Sequence, residues 1–325
     1  KFGGSSLANP EKILRAARRA IRAQQEGNQV VMVVSAMGDT TDDLLDLAAK
    51  ITDRPPAREM DMLLATGEQV TIGLLAMALQ SLGLAACSFT GTQVGLVTDD
   101  AHTRARIKRI TAERIGAALA EAKIAVVAGF LGMTEAGDIT TLGRGGSDLT
   151  AVALAAALKA DVCEIYTDVD GVYTADPNIV PDARKLARVA YDEMLELASL
   201  GAKVLQTRSV EFAKRYTVPV HVRSSFDEQD GTWVVQEDER MEQVLVSGVT
   251  LDRDQAKITF RGVPDRPGLA AKIFGPIARS NIVVDMIIQN ASAAGDTDIT
   301  FTVSKNDFNR AREMVEALAR EIGAD

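Results

Sequence analysis

The stretch Val30–Asp42, VVMVVSAMGDTTD, passes from an apolar run into small and hydroxyl-bearing residues. A short, uninterrupted apolar run is typical of a parallel strand that is buried on both faces. Similar runs recur at Ile124–Val127, Val162–Tyr166 and Val218–Val222. We therefore predict a mainly parallel sheet.

The segments between these runs have the composition and spacing of helices. Pro10–Gln25 is rich in Ala and Arg and follows Asn9, a residue type that caps helix N-termini. Ala151–Lys159 and Tyr191–Leu200 are also predicted to be helical. Because strands that alternate with helices form a parallel sheet covered on both faces, we expect residues 1–230 to form one α/β domain.

The pattern changes after Gly231. In chain order we predict a strand, a helix, two strands and a helix, at Ile258–Val263, Leu269–Ser280, Val283–Gln289, Asp298–Ser304 and Phe308–Ile322. This order is a split βαβ unit without its final strand, which indicates a smaller, ferredoxin-like α+β domain. We assign residues 231–250 to a linker and residues 251–325 to this second domain, and about two domains are expected for 325 residues.

The composition is that of a globular protein with an acidic balance: 36 Lys and Arg against 45 Asp and Glu, a net charge of −9. This balance argues against nucleic acid or an anionic membrane as a partner, because basic patches bind phosphates. No apolar run approaches the roughly 20 residues of a membrane span. Cys87, Cys163, His102 and His221 lack metal-site spacing, and we interpret both histidines as structural or surface residues. We expect a soluble, cytoplasmic protein without a metal site built from side chains.

Two glycine-containing turns each stand directly before a predicted helix. Lys1–Ser6, KFGGSS, combines glycines whose backbone can approach a phosphate with a lysine for the phosphoryl oxygens. Gly143–Asp148, GRGGSD, combines an arginine suited to a carboxylate with an acid at a helix start. Taken singly, the first could be only a tight turn, and Asp148 could only stabilise its helix through the dipole.

Further polar residues lie near predicted strands and helices. Tyr166–Pro177, YTDVDGVYTADP, follows a buried strand and is therefore expected at the carboxyl edge of the sheet, where α/β proteins bind ligands. A calcium loop is an alternative, but the bidentate glutamate of an EF-hand is absent. Glu68 could receive an ammonium group or be an exposed helical glutamate, and Lys203 could equally be a solvated lysine.

In this order the motifs resemble those of the aspartokinases of the amino acid kinase family, over essentially the whole chain. The stretches that carry the resemblance are KFGGSS at Lys1–Ser6, SAMGDTTDDLL at Ser35–Leu45, REMDMLLATGEQ at Arg58–Gln69, FTGTQVG at Phe89–Gly95, TTLGRGGSD at Thr140–Asp148 and TDVDGVYTADP at Thr167–Pro177. The second domain resembles an ACT domain, a module that senses small molecules, through Pro264–Gly268 and Ile288–Asn290.

The resemblance implies that ATP phosphorylates the side-chain carboxylate of L-aspartate to 4-phospho-L-aspartate, the first step of lysine, threonine and methionine biosynthesis. It also implies Mg²⁺ as the cofactor of ATP, threonine or lysine as a feedback effector, and a homo- or hetero-oligomer formed through ACT domains. A carboxylate nucleophile is already ionised at neutral pH, so the reaction requires no histidine base. Positioning and charge neutralisation should dominate instead.

The resemblance assigns individual residues to these roles. Those expected to be catalytic are Lys1, Asp148 and Lys203. Those expected to bind ATP are Lys1, Phe2, Gly3, Gly4, Ser35, Thr167, Asp168, Tyr173, Thr174, Ala175, Asp176, Pro177, Asn178 and Lys203. Those expected to bind aspartate are Asp39, Thr40, Thr41, Asp42, Asp43, Glu68, Arg144, Gly145, Gly146 and Ser147. Those expected to bind the effector are Asp265, Gly268, Ala270 and Gln289.

Two features depart from the family pattern and lead us to expect truncation: no strand precedes Lys1, and the chain ends within the first ACT module, before a second one. Related kinases that act on glutamate, acetylglutamate or a nucleoside monophosphate are alternatives, but the Arg144 turn and Glu68 favour an amino acid. A catalytically inactive amino-acid sensor is disfavoured because both lysines and Asp148 are present. A nicotinamide dehydrogenase is disfavoured because the GxGxxG turn is absent.

Overall fold

The computed structural model describes residues 1–202, 204–238, 247–264, 266–280, 282–291 and 296–322. The chain divides into two compact units, Lys1–Thr250 and Leu251–Asp325.

The first unit is an α/β structure. Its strands are β1 Val31–Val34, β2 Ala86–Phe89, β3 Leu96–Thr98, β4 Ile107–Ile110, β5 Ile124–Ala128, β6 Leu131–Met133, β7 Ile139–Thr141, β8 Cys163–Thr167, β9 Arg188–Ala190, β10 Val220–Ser224 and β11 Thr232–Val235. Its helices are α1 Pro10–Gln25, α2 Thr40–Ala49, α3 Ala57–Ser81, α4 Glu113–Ala120, α5 Gly146–Leu158, α6 Tyr191–Ser199 and α7 Thr207–Tyr216, preceded by a 3₁₀ turn at Gly4–Leu7.

The main sheet consists of two groups of strands, in the orders β1-β5-β2 and β8-β10-β11-β9. All neighbours within the groups are parallel except β10 and β11. Phe2 joins the groups, because it pairs in parallel with Val34 on one side and with Tyr166 on the other. The predicted parallel sheet is confirmed, and the KFGG segment occupies its centre.

Two apolar cores cover the sheet, one on each face. Val33 and Val127 belong to a core shared with α4, α5, α6 and α7, whereas Val34 and Val126 belong to one shared with α1 and α3. Neighbouring residues of a strand point to opposite faces, so an uninterrupted apolar run supplies both cores. The prediction of helices on both faces is thereby confirmed.

A second sheet, in the order β4-β3-β6-β7, was not predicted from the sequence. Its strands are three or four residues long, and β4 carries two exposed basic residues, Lys108 and Arg109. Such short strands have too few residues for a period of two to be recognised. This sheet nevertheless supports the candidate site, because β7 leads directly into the turn at Gly143.

Helix α3 is 25 residues long and largely apolar. Among the described residues it is the one helix long and apolar enough to cross a membrane, although half of its most apolar window is buried within the protein. Two of its buried residues are the acids Asp61 and Glu68. Burial of this kind is typical of a core helix in a globular unit.

The stretch expected to be a linker contains a strand. β11 pairs with both β10 and β9, and Val234 is fully buried in the first unit. The first unit therefore extends past Gly231. The alternation of Thr232 and Val234 inward with Trp233 outward was present in the sequence, but the polar flanks concealed it.

The second unit is a three-stranded antiparallel sheet with two helices. Its elements are β12 Gln255–Pro264, α8 Leu269–Arg279, β13 Val284–Ala291, β14 Asp296–Ser304 and α9 Phe308–Ile322, with a 3₁₀ turn at Lys305–Asp307. The strand order is β12-β14-β13. Ile299, Phe301 and Val303 alternate into the core, where Ala311 and Val315 of α9 meet them. The predicted element order is confirmed.

Candidate active site

The candidate site lies where the centre of the main sheet ends. The Phe2 N–H donates to the Val33 carbonyl at 2.9 Å, and the Tyr166 N–H donates to the Lys1 carbonyl at 2.8 Å. Since this segment is parallel to β1 and β8, the residues that follow all three reach the same carboxyl edge. That edge is where open α/β sheets bind ligands.

An ion pair between Lys1 and Asp148 is at the centre of the site. Lys1 Nζ lies 2.7 Å from Asp148 Oδ1, and each side chain is only 11% exposed. Asp148 is in the first turn of α5, so the start of that helix and the KFGG segment meet here. The two motifs are about 140 positions apart in the sequence, and the resemblance implied that Asp148 bonds to the site lysines; the structure brings Lys1 and Asp148 together. A largely enclosed ammonium at a helix N-terminus is suited to binding an anion.

The glycines of the first turn allow two segments to approach each other closely. A Cβ at Gly4 would lie 2.8 Å from the Ala36 carbonyl oxygen and 2.9 Å from that of Gly38. The Gly3 N–H donates to the Tyr166 carbonyl at 3.3 Å, so this amide is already engaged within the sheet. Gly4 therefore packs the first turn against the turn that follows β1.

That second turn leads from Ser35 into α2. Ser35 Oγ donates to Ser147 Oγ at 3.0 Å, which connects it to the start of α5. Thr40 Oγ1 donates to the Met37 carbonyl, and Thr41 is half-buried beside it. The expected ligands Asp39, Asp42 and Asp43 are exposed. Asp42 and Asp43 lie in the first turn of α2, where acids stabilise the helix dipole.

Glu68 is a buried carboxylate with one unused oxygen. Its Oε1 accepts from the Ala36 N–H at 3.1 Å, while its Oε2 is buried without a hydrogen-bond partner among the described residues. Burial raises the pKa of Glu68 from its ordinary value of 4.5 to about 7. The exposed-glutamate alternative is excluded because Glu68 is 3% exposed. An ammonium ligand would supply both the missing partner and the missing charge.

Arg144 lies exposed in a turn whose backbone is left-handed on both sides. Gly143 has φ +80° and Gly145 has φ +71°, a region that glycine adopts without strain. A Cβ at Gly145 would also collide with the Gln206 side chain. Gly146 and Ser147 are buried at the start of α5, so this turn presents the Arg144 guanidinium while its neighbours stay fixed.

The loop that follows β8 forms the exposed side of the site. The Thr167 hydroxyl donates to Asp168 Oδ1 at 3.0 Å, and the Tyr173 hydroxyl donates to Asp170 Oδ1 at 3.0 Å. Asp176 Oδ1 accepts from the Asn178 N–H at 2.9 Å. The rest of the predicted nucleotide loop is half-buried at Thr174 and Ala175 and exposed at Pro177.

Two predicted site residues, Lys203 and Asp265, lie outside the described residues. In the second unit, Gly268 has φ +87° at the start of α8 and Ala270 is exposed in its first turn. Gln289 is exposed on the edge strand β13, with β14 between it and β12. These effector-site assignments remain predictions.

The sequence pattern did not predict the hydrogen-bonded cluster around Asp61. This carboxylate is fully buried, and its Oδ2 lies 2.7 Å from His102 Nδ1. His102 therefore has a partner, which sequence spacing did not indicate because the two residues are 41 positions apart. His221 stacks on Trp233 with ring centroids 4.1 Å apart. One signal in the sequence could have revealed Asp61: it lies seven residues before Glu68 in an apolar helix, and residues i and i+7 share a helix face.

Family models match both units. Residues 1–224 match the amino acid kinase family, and residues 258–318 match the ACT domain. Aspartate kinase of Pseudomonas putida is 55% identical over 325 residues, which cover all of this chain and 79% of the relative. The chain belongs to the amino acid kinase family and, within it, to the aspartokinases.

Solved structures agree with this assignment. Aspartate kinase from Synechocystis is 48% identical with a TM-score of 0.67, and the match covers 99% of this chain but 55% of that one. E. coli aspartokinase III in complex with aspartate and ADP, in the R-state, is 28% identical with a TM-score of 0.81, over 93% of this chain and 77% of that one. The same enzyme with lysine and aspartate, in the T-state, is 27% identical with a TM-score of 0.75, over 97% of this chain and 82% of that one.

Proposed function

We propose that this chain transfers the γ-phosphoryl group of ATP to the side-chain carboxylate of L-aspartate, giving 4-phospho-L-aspartate and ADP. The observation that carries the proposal is the Lys1 ammonium, held 2.7 Å from Asp148 at the meeting point of the two glycine turns. The relatives named aspartate kinase and the aspartate and ADP complex of the E. coli enzyme support the choice of substrates.

The reaction brings one anion to another, so charge neutralisation is its main requirement. The aspartate carboxylate attacks phosphorus while the bond to the ADP oxygen breaks, and the bonding pair leaves with ADP. The nucleophile carries no proton at neutral pH, so no general base takes part. Lys1 places its positive charge where the phosphoryl oxygens become most negative, and Asp148 fixes the direction of that ammonium.

The groups around Lys1 would hold the amino acid. Glu68 Oε2, buried and unpartnered, would accept the α-ammonium group. Arg144, exposed on its glycine-flanked turn, would bind the α-carboxylate through its paired N–H donors. The Ser35 and Ser147 hydroxyls, which are hydrogen-bonded to each other at 3.0 Å, would contact the substrate from one side, and the Thr41 hydroxyl would add a further contact.

The loop that follows β8 would hold the nucleotide, together with Gly3, Gly4 and Lys203. No group of three or more His, Cys, Asp or Glu side chains among the described residues is arranged to hold a metal ion. This fits Mg²⁺ that arrives with ATP, because Mg²⁺ in kinases is bound by one or two carboxylates together with the phosphates. When bound, Mg²⁺ would offset the charge of the β- and γ-phosphates. Asp168, which is exposed directly after β8 and accepts from the Thr167 hydroxyl through Oδ1, would be a candidate carboxylate ligand from this loop.

The second unit would sense an amino acid and adjust the activity. The ACT model that matches residues 258–318 supports this role, as does the lysine-bound T-state of E. coli aspartokinase III. We propose lysine or threonine as the effector, assembly into a homo- or hetero-oligomer through this unit, and a cytoplasmic location. In this role the enzyme catalyses the first step of lysine, threonine and methionine synthesis.

An acceptor panel tests the function. The chain would be incubated with Mg-ATP and, separately, aspartate, glutamate, acetylglutamate or UMP, with hydroxylamine present to trap an acyl phosphate as the hydroxamate. We expect ADP and hydroxamate in equal amounts with aspartate, and less of both after addition of lysine or threonine. Faster ADP formation with another acceptor would overturn the assignment of aspartate as the substrate. If no acceptor gave ADP, the inactive sensor would be favoured.

A further inference from the structure

The fully buried carboxylate of Asp61 joins two segments that are remote in sequence. Its Oδ1 accepts from the Thr141 hydroxyl at 2.6 Å, at the end of β7. Both of its oxygens accept from the Thr103 N–H at 3.0 Å, and His102 Nδ1 lies 2.7 Å from Oδ2. A buried carboxylate is costly unless it is fully hydrogen-bonded, so this arrangement strongly fixes the loop at residues 102–103 against β7.

The loop at residues 102–103, which Asp61 binds, packs against Gly143 at the start of the Arg144 turn. Thr103 has φ +67°, a strained conformation for a β-branched residue, and its carbonyl would lie 3.1 Å from a Cβ at Gly143. The Ala105 N–H donates to the Thr141 carbonyl at 2.9 Å, which extends the contact. Asp61 therefore stabilises the strained backbone of Thr103, and Gly143 packs against the carbonyl of that residue.

Helix α7 also binds both segments, the one after β7 and the one after Thr103. Arg208 Nη1 donates to the Leu142 carbonyl at 2.8 Å, and Nη2 donates to the Ala105 carbonyl at 2.9 Å. Leu142 immediately precedes Gly143. The residues that lead into the Arg144 turn are therefore bound by Arg208 of α7 through the Leu142 carbonyl and by Asp61 of α3 through the Thr141 hydroxyl. Arg144 itself is exposed.

Asp61 and Glu68 lie on one face of α3, two helical turns apart. Glu68 contacts the turn that follows β1 through the Ala36 N–H, whereas Asp61 contacts the end of β7 through Thr141. One rigid helix thus sets the separation between the carboxylate that would receive the α-ammonium group and the turn that carries Arg144.

We infer that Asp61 is a positioning residue for the amino-acid substrate: it acts through the Thr103 loop and Thr141 to hold the Arg144 turn at the correct distance from Glu68. This inference rests on the proposed function. It predicts a defect confined to the amino-acid side of the site, because the contacts of Asp61 with other described residues do not reach the loop that follows β8.

Steady-state kinetics of the full chain test the inference. Asp61→Asn replaces one of the two oxygens that accept from the Thr103 N–H with an amide N–H₂. We expect this variant to raise KM for aspartate about tenfold, the loss of roughly one hydrogen bond to a charged group, while KM for ATP stays near the wild-type value. Glu59→Gln is the matched control, since it makes the same acid-to-amide change on an exposed residue of α3 and should leave both KM values unchanged.

A second pair of variants covers the case in which Asp61→Asn does not fold. Thr141→Val removes the hydroxyl that donates to Asp61 and should raise KM for aspartate selectively, whereas Thr141→Ser keeps the hydroxyl and should restore it. Equal changes in both KM values, or an unchanged KM for aspartate in Thr141→Val, would overturn the inference alone. A wild-type chain without aspartate-dependent turnover would overturn the proposed function and the inference with it.

Discussion

At the residue scale, Glu68 combines a destabilising burial with a proposed binding role. Its folded-state pKa of about 7 exceeds the ordinary 4.5, so the protonated form is the one that the fold favours. The stability gained from this proton is fully present below about pH 4.5 and is lost as the pH rises through about 7. Ionised Glu68 therefore weakens the ligand-free protein at pH 8, by roughly 3 kcal/mol at most.

Glu68→Gln should consequently stabilise the ligand-free protein at pH 8 and do so much less at pH 5, while it raises KM for aspartate. Denaturant unfolding at the two pH values measures the first effect, and initial rates at varied aspartate measure the second. Glu59→Gln serves as the exposed control, with no pH-dependent gain. An equal stability change at both pH values would show that Glu68 is not the titrating group.

Arg144 is the other residue that we propose to contact the amino acid and not the nucleotide. Removal of its guanidinium takes away a paired donor for a carboxylate but no contact with the nucleotide loop. We expect Arg144→Ala to raise KM for aspartate by about 10- to 100-fold, the loss of one or two charge-assisted hydrogen bonds, and to leave ATP affinity in calorimetry nearly unchanged. A parallel loss of ATP affinity would contradict the assignment.

At the element scale, the site depends on close approach between turns. Gly4→Ala would place a methyl group within 2.9 Å of two carbonyl oxygens, so the first turn and the turn that follows β1 must separate. We expect a loss of stability of about 1–3 kcal/mol and a lower kcat/KM for both substrates. Gly73→Ala, in α3, meets nothing within 4 Å and should instead stabilise the protein slightly. Thermal unfolding of the two variants separates these outcomes, and a harmless Gly4→Ala would contradict the packing role.

The elements also show what sequence patterns can and cannot predict. The apolar runs at β1, β5, β8 and β10 predicted strands because burial on both faces leaves a continuous signal. Helix α5 begins at Gly146, five residues before the predicted start at Ala151. Its first turn is made of glycine and polar residues, whose helical conformation depends on contacts with Lys1 and Ser35 rather than on propensity.

At the scale of the whole molecule, motif order predicted the family and most of the candidate site, because those motifs consist of contiguous residues. The contacts that join the motifs could not be predicted. Asp61 with Thr141, and Ser35 with Ser147, are 80 and 112 positions apart, so only the folded chain defines their proximity. The short second sheet escaped prediction for a related reason: it is stabilised by its neighbours and not by its own sequence pattern.

The proposed reaction depends most on Lys1 as the cation that would neutralise the transferring phosphoryl group. The direct measurement is the rate of aspartate-dependent ADP formation at saturating substrates for the wild-type chain and Lys1→Ala, with Lys50→Ala as an exposed control. We predict that Lys1→Ala still folds, with a lower stability because Asp148 loses its partner, and loses at least about 100-fold in kcat, while Lys50→Ala stays close to wild type. A folded Lys1→Ala variant that turns over at the wild-type rate would contradict the account.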